Sequence, residues 1–293
     1  MDFSRFIGQS TGPRRIEYTW RDAALYALAV GANEKELDYY YEKNMKVLPS
    51  FGVIPCWNAV NHFPQRHAPH PAPMIVMDAI ARETGIMTGG LDMEHELIMY
   101  RPIDPIKGTL VFEDTITNIY DRGKGKGIII ESGIPVYDEA GNLLCENVAR
   151  FVCFAGGGYG GQKPPKPRFQ IPDREPDLTV GDYISKTQNA LYRLTGDTNR
   201  VHIDPEYTGG SGRGPFMQGL CSFGFACRMA IGALIPGEPE RMTRISAQMR
   251  NICWPGTEIE LQIWKIGETV AVFRMVGMGD GNAILDKGYF MWR

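Results

Sequence analysis

Pro215-Phe216-Met217-Gln218-Gly219-Leu220-Cys221-Ser222-Phe223-Gly224 opens the stretch that decides the fold. Apolar side chains at Phe216, Leu220, Phe223, Cys227, Ala230, Ile231 and Leu234 fall close to one helical face. The spacing predicts a long helix over residues 215–235. Pro215 suits its first position, where a missing N–H is no loss. The same stretch carries Gly214, Gly219, Gly224 and Gly232. Each interior glycine costs a helix about 1 kcal/mol relative to alanine. Such a helix makes sense where its surroundings approach closely and only small residues fit. The expectation is one long helix held inside a curved antiparallel sheet.

Strand-like sequence surrounds this helix, and it occurs twice. Gly108-Thr109-Leu110-Val111-Phe112 opens one alternating run and Gly256-Thr257-Glu258-Ile259-Glu260-Leu261 opens the other, each preceded by a proline, Pro105 or Pro255. Each run reaches a charged turn, residues 121–127 or 265–268, and then a second turn, residues 138–142 or 279–282. Each ends on an aromatic strand, Val148-Ala149-Arg150-Phe151-Val152-Cys153-Phe154 or Gly288-Tyr289-Phe290-Met291-Trp292. The offset is 148 residues at the first landmark and 140 at the last. A repeat of half the 293-residue chain means two copies of one unit, whereas a solenoid repeats every 20–50 residues or so. Residues 20–30 supply good helix formers ending at Gly31 and stand as the first unit's helix. The fold class read from this is α+β: a double hot dog, two tandem units of a long helix wrapped by a curved antiparallel sheet. The domains follow as 1–155, a glycine- and proline-rich linker at 156–174, and 175–293.

One segment ahead of the long helix carries chemistry. Leu194-Thr195-Gly196-Asp197-Thr198-Asn199-Arg200-Val201-His202-Ile203-Asp204-Pro205 packs four polar groups into a turn and holds the one histidine of the second half. Catalytic groups concentrate on loops carried by a rigid scaffold. Asp197 and His202 can converge on one water, with histidine moving a proton near neutral pH and the carboxylate sharing the load. The Asn199 amide can orient that water. A second reading stands beside this one: Asp197 and Asn199 make ordinary turn hydrogen bonds and His202 is a satisfied polar residue.

The run Gly196-Asp197-x-Asn199-x-x-His202-Ile203-Asp204-Pro205 resembles the hydratase 2 motif of the MaoC-like (R)-specific enoyl-CoA hydratases. Glu206-Tyr207, a short glycine-rich loop and residues 215–224 continue the likeness. Residues 26–32, 48–54 and the Gly156–Gly161 run are similar to the eukaryotic-type, double hot-dog members. The resemblance implies syn addition of water to a trans-2-enoyl-CoA, giving the (3R)-hydroxyacyl-CoA. It implies Asp197 and His202 as the catalytic pair, Asn199 as the group that places the water, and the Gly219 backbone N–H as oxyanion donor. Water adds to C3 only if charge can spread onto the thioester oxygen, and a donor at a helix N-terminus stabilises that charge. A (3R)-hydroxyacyl-ACP dehydratase and a non-catalytic acyl-CoA-binding subunit are the rival readings.

The chain departs from the family at several points. Arg200 stands where proline is common, and Gln218 where histidine is common. Leu91-Asp92-Met93-Glu94-His95-Glu96 replaces a segment that usually has histidine at the Asp92 position. The first half lacks the Asp-x-Asn-x-x-His pattern, so its expected task is to house the acyl tail. Glu94, Gln218, Arg200 and Arg213 are candidate substrate-binding residues. The two arginines suit a CoA phosphate, with ordinary surface charge as their other reading.

The remaining signals are bland. His62, His67 and His70 lie in a proline-broken stretch that reads as an irregular loop lining the acyl pocket, and no metal and no cofactor are expected. Six cysteines form no Cys-x-x-Cys pair. Net charge is −3, which argues against a nucleic-acid partner. Nothing resembles a leader or a membrane span, and the Phe290-Met291-Trp292-Arg293 ending is no peroxisomal address. The expectation is a cytoplasmic homodimer acting on an acyl-CoA.

Overall fold

The computed structural model describes residues 1–57, 71–85, 87–208 and 213–293. Strand β1, Arg14–Thr19, alternates buried Ile16 and Tyr18 with outward Arg15, Glu17 and Thr19. Helix α1, Trp20–Ala29, starts where the Asp22 carboxylate accepts the Thr19 N–H at 2.7 Å, and Gly31 follows it at φ +84°. A 3-10 segment, Pro49–Trp57, and helix α2, Pro73–Thr84, come next. Strands β2 (Gly90–Met99), β3 (Lys107–Phe112), β4 (Thr115–Asp121), β5 (Ile128–Tyr137) and β6 (Leu143–Cys153) complete the first half. The second half contains β7 (Leu178–Tyr183), α3 (Gln188–Arg193), α4 (Gly219–Leu234), β8 (Met242–Met249), β9 (Glu258–Gly267), β10 (Val270–Gly277) and β11 (Ala283–Trp292).

All eleven strands belong to one antiparallel sheet, in the order β1-β3-β5-β6-β2-β8-β11-β10-β9-β7, with β4 also on β5. The order is matched about its centre, where β2 of one half pairs with β8 of the other from Glu94↔Gln248 to Ile98↔Arg244. The two repeated landmarks fall on matched strands: residues 108–112 on β3 and 258–261 on β9, then 148–153 on β6 and 288–292 on β11.

The long helix is buried as its sequence requires. Every residue of α4 from Leu220 to Ile231 is inside. Its glycines, though, have separate reasons. A Cβ on Gly224 would sit 2.4 Å from Val30 Cγ1 and 2.9 Å from Tyr26 Oη, so the close neighbour is α1 and the turn after it. A Cβ on Gly232 would meet nothing. The helix also starts later than Pro215. Residues before it are extended, with Gln218 at φ −63°, ψ 136°, and the Met217 N–H donates to the Cys253 carbonyl at 2.9 Å. This contact and the extended backbone at Gln218 hold the segment out of the helix.

The first half holds no counterpart to α4 among the described residues, which corrects the expectation of a long helix in each unit. Helix α1 is ten residues long, and the 3-10 segment Pro49–Trp57 packs against α4 and strands β2, β5 and β6. Pro55 cannot donate an i→i−4 bond, and Gly52 lies so close to β6 that a Cβ would come within 2.8 Å of Cys145 Sγ. The buried Arg228 of α4 ties the halves together. It donates to the Val30 carbonyl at 2.9 Å, to Glu36 at 2.8 Å and to Asp182 of β7.

Residues 156–174 contain no helix or strand, but they are not a free tether. The Asp121 carboxylate accepts the N–H groups of Gly158 and Gly160 at 2.7 and 2.8 Å. Phe169 then packs on Tyr289, and Trp264 Nε1 donates to the Arg174 carbonyl at 2.8 Å. The connection is strapped across the outer face of the sheet. All six cysteines are free and buried. No helix among the described residues is long and apolar enough to cross a membrane.

Candidate active site

A cleft of about 360 Å³ opens where the two halves meet, at the start of α4. Asp197, Asn199, His202 and Gly219 all line it. The first half contributes Gly90, Leu91, Asp92 and Phe151. Much of the rest of the wall is apolar, including Leu220, Met249 and Leu285.

The loop that presents the polar groups is built by short-range hydrogen bonds. Helix α3 ends at Arg193 and Gly196 turns the chain at φ +126°. Asp197 is 8% exposed and its Oδ1 accepts the Asn199 N–H at 3.1 Å. Asn199 Oδ1 accepts the Val201 N–H at 3.2 Å and so caps the 3-10 turn Arg200–His202. Its acceptor is thereby committed, leaving its amide N–H groups for a ligand or water.

His202 has a defined tautomer. Its Nδ1 lies 3.0 Å from the Phe216 carbonyl oxygen, which can only accept, so Nδ1 carries the hydrogen. Burial pushes the His202 pKa below its ordinary 6.5, against the opposing pull of Asp197. The neutral ring therefore keeps a lone pair on Nε2 at neutral pH. Burial likewise raises the Asp197 carboxyl, with His202 opposing. Phe216 holds the imidazole edge-on at 5.0 Å.

Gly219 is the first residue of α4, and its N–H has no acceptor among the described residues. The helix dipole adds positive potential at the same point. Met249 Cγ would lie 3.4 Å from a Cβ at Gly219, an ordinary contact distance. The cleft thus combines a carboxyl and an imidazole with a backbone donor that has no acceptor among the described residues.

The other candidates fall elsewhere. Glu94 does not face the cleft. It is ion-paired with Arg150 on the outer face and accepts Gln248 Nε2 at 2.8 Å. Alternation with the inward His95 and Leu97 turns Glu94 outward, and a β-bulge between Asp92 and Glu94 brings Asp92 into the cleft. Gln218 is 1% exposed and does not line the cleft; it donates to the Asn189 carbonyl at 3.0 Å. Arg200 points to solvent, bonds Asp204 and lies over the Tyr207 ring at 5.1 Å. Arg213 lies over Trp254 at 4.8 Å and lines an adjoining groove that shares Ile252, Cys253 and Ile284 with the cleft. Trp254 is half-buried there, whereas Trp264 is in the core. His62, His67 and His70 lie outside the described residues.

Sequence reasoning missed four contributors. Asn189 Nδ2 donates to the His202 carbonyl at 2.7 Å while its own carbonyl accepts Gln218, so α3 fixes both the loop and the start of α4. Ser222 and Arg250 line the cleft. So does Asp92, whose carboxyl is pushed up to about 7 by burial and by the charge of Asp197. A departure from the family pattern at Asp92 was its one sequence signal; the other three carried none.

The fold and cleft together define a class: a hot-dog protein with a cleft lined by Asp197, Asn199 and His202 at the N-terminus of its long helix. Comparison with known proteins narrows this. Residues 16–155 match the MFE-2 hydratase 2 N-terminal domain and residues 168–284 match the MaoC like domain. A protein of Dictyostelium discoideum named probable enoyl-CoA hydratase 2 is 32% identical, over 98% of this chain and 95% of its own. A MaoC-like dehydratase from Phytophthora capsici, solved by crystallography, superposes with a TM-score of 0.83 at 28% identity, covering 100% of this chain and 99% of that one. A Mycobacterium tuberculosis protein described as having a double hot-dog fold shares the fold at TM-score 0.60 and 13% identity, covering 97% of this chain and 95% of that one. The chain belongs to the MaoC-like family, in the form that carries the MFE-2 hydratase 2 N-terminal domain.

Proposed function

We propose that this protein is an (R)-specific enoyl-CoA hydratase, a hydro-lyase that adds water syn across trans-2-enoyl-CoA to give (3R)-hydroxyacyl-CoA, and runs the reverse dehydration. The observation that carries the reading is one cleft holding Asp197, a neutral His202 with Nδ1 anchored, and the unpaired Gly219 N–H. The relatives' names agree with it.

On this reading the thioester oxygen docks at the Gly219 N–H. Water loses a proton to the Asp197–His202 pair as its oxygen bonds to C3. The C2–C3 π electrons move to C2 and are delocalised onto the thioester oxygen, whose developing charge the N–H and the helix dipole stabilise. The pair returns one proton to C2 on the same face, so proton and hydroxyl balance as one water. Asn199 holds that water through its amide N–H. The hot dogs are two tandem units with unequal tasks: residues 1–155 house the acyl tail against Leu91 and Phe151, and 175–293 carry the chemistry. Arg250 in the cleft and Arg213 in the adjoining groove serve the phosphates of CoA. The homodimer is part of the same reading, checked by a solution mass twice the 32.8 kDa of the chain.

The test follows ultraviolet loss of a medium-chain trans-2-enoyl-CoA for wild type and Asp197→Asn, with the product's configuration resolved. The expected outcome is rapid hydration to the (R)-alcohol and a loss of about 1000-fold or more in kcat in the variant. An (S)-product, or full activity in Asp197→Asn, would sink the assignment.

A further inference from the structure

Asp92 is a charged-type residue in an apolar wall, and the proposed mechanism does not use it. It lies on β2 directly across from Phe151 of β6, and both line the cleft beside Leu91. Regular alternation along β2 would not put it there. His95 and Leu97 are buried toward the helix, so position 93 is the next inward place, and Asp92 would face outward with Glu94 and Glu96. The bulge between Asp92 and Glu94 reverses this. Bulges beside sites re-aim side chains.

Once inside, the carboxyl has no hydrogen-bond or ion-pair partner among the described residues. Every other acid on this strand is partnered: Glu94 by Arg150 and Gln248, Glu96 by Arg244 and Tyr289. An unpartnered carboxyl held between Leu91 and Phe151 is costly unless a ligand completes it. It lines the same cleft as Asp197, and burial with that neighbouring charge holds it up to about 7. Near neutral pH it is substantially protonated and can both donate and accept a hydrogen bond.

We propose that Asp92 is a specificity residue, which selects acyl chains bearing a neutral oxygen substituent, a hydroxyl or a carbonyl, over plain alkyl chains. The inference rests on the enoyl-CoA hydratase reading. A hydroxyl or carbonyl completes the carboxyl's hydrogen bonding, while a plain methylene at the same place leaves it desolvated and unmet. The residue acts on the tail and takes no part in moving the protons of the reaction.

The experiment measures kcat/KM for plain medium-chain trans-2-enoyl-CoA and for chain-matched thioesters with one hydroxyl at C5, C6 or C7. Wild type, Asp92→Leu and Asp92→Asn are compared. The expected result is that at least one hydroxylated thioester is favoured over the plain one by wild type, and that Asp92→Leu shifts this ratio toward the plain chain by about 10- to 100-fold. Asp92→Asn, which keeps a donor and an acceptor in the same volume, retains most of the preference. Hydration of all substrates with ratios unchanged within about twofold in both variants would overturn this inference and leave the function standing. No hydration of any thioester by folded wild type would overturn the function, and this inference with it.

Discussion

In the proposed reaction Gly219 N–H and His202 Nε2 depend on what surrounds them, and the first can be addressed by one substitution. The Gly219 donor is a backbone atom, so only proline removes it. The position tolerates that change. It is the first residue of α4, where proline fits, and Gln218 before it already has the extended backbone that a following proline demands. Gly219→Pro is therefore expected to fold with a thermal midpoint near wild type and to lose about 100- to 1000-fold in kcat. A folded variant with undiminished kcat would show that the oxyanion is held elsewhere. The side chains around His202 have a simpler logic. Phe216 fixes the ring by its carbonyl, and Asn189 fixes the backbone beneath it. Neither contact is written in the motif, since both come from residues whose types are common.

At the scale of elements, α4 shows that one residue type can have different causes along one helix. Gly224 is required by contact: Val30 and Tyr26 occupy the space a Cβ would need. Gly232 is exposed and meets nothing. Alanine should therefore act in opposite senses at the two positions. Gly224→Ala is expected to destabilise by about 2 kcal/mol through overpacking, and Gly232→Ala to stabilise by about 0.5–1 kcal/mol through helix propensity. Denaturant midpoints of the two variants check this, and equal shifts of one sign would refute it. The late start of α4 belongs to the same scale. Met217 bonds to Cys253 in the segment after β8 and residues 215–218 stay outside the helix, which places the unpaired N–H at Gly219 rather than near Pro215.

In the whole molecule, the two halves share one sheet and one main core, held also by a buried arginine. Arg228 side-chain atoms are 5% exposed, while its partners Glu36 and Asp182 are 21% and 23% exposed. Removing the guanidinium leaves two half-buried carboxylates and the Val30 carbonyl without their donor. Arg228→Met is expected to destabilise by about 3 kcal/mol, read from denaturant unfolding. A change under about 0.5 kcal/mol would mean that the carboxylates simply turn to water. The same fusion of halves creates the cleft, because its floor comes from β2 and β6 of one half and its chemistry from the loop and helix of the other.

Much of this was legible along the chain, because it depended on local pattern. The apolar spacing of residues 216–234 set a buried helix, the doubled strand landmarks set matched strands, and Asp197-x-Asn199-x-x-His202 marked the loop that lines the cleft. Local pattern fails where a distant segment decides. Among the described residues the first half has a 3-10 segment, Pro49–Trp57, and no long helix, with Pro55 inside that segment and Gly52 pressed close to β6. Asp92 faces the cleft because of a bulge, which strand alternation by itself does not reveal. Gln218 is turned inward by Asn189, 29 residues away. Sequence by itself determined the buried helix, the matched strands and the loop carrying Asp197, Asn199 and His202, since these follow from short-range propensity and periodicity. Tertiary structure alone decided which face each polar side chain took, because that is set by register and by partners far along the chain.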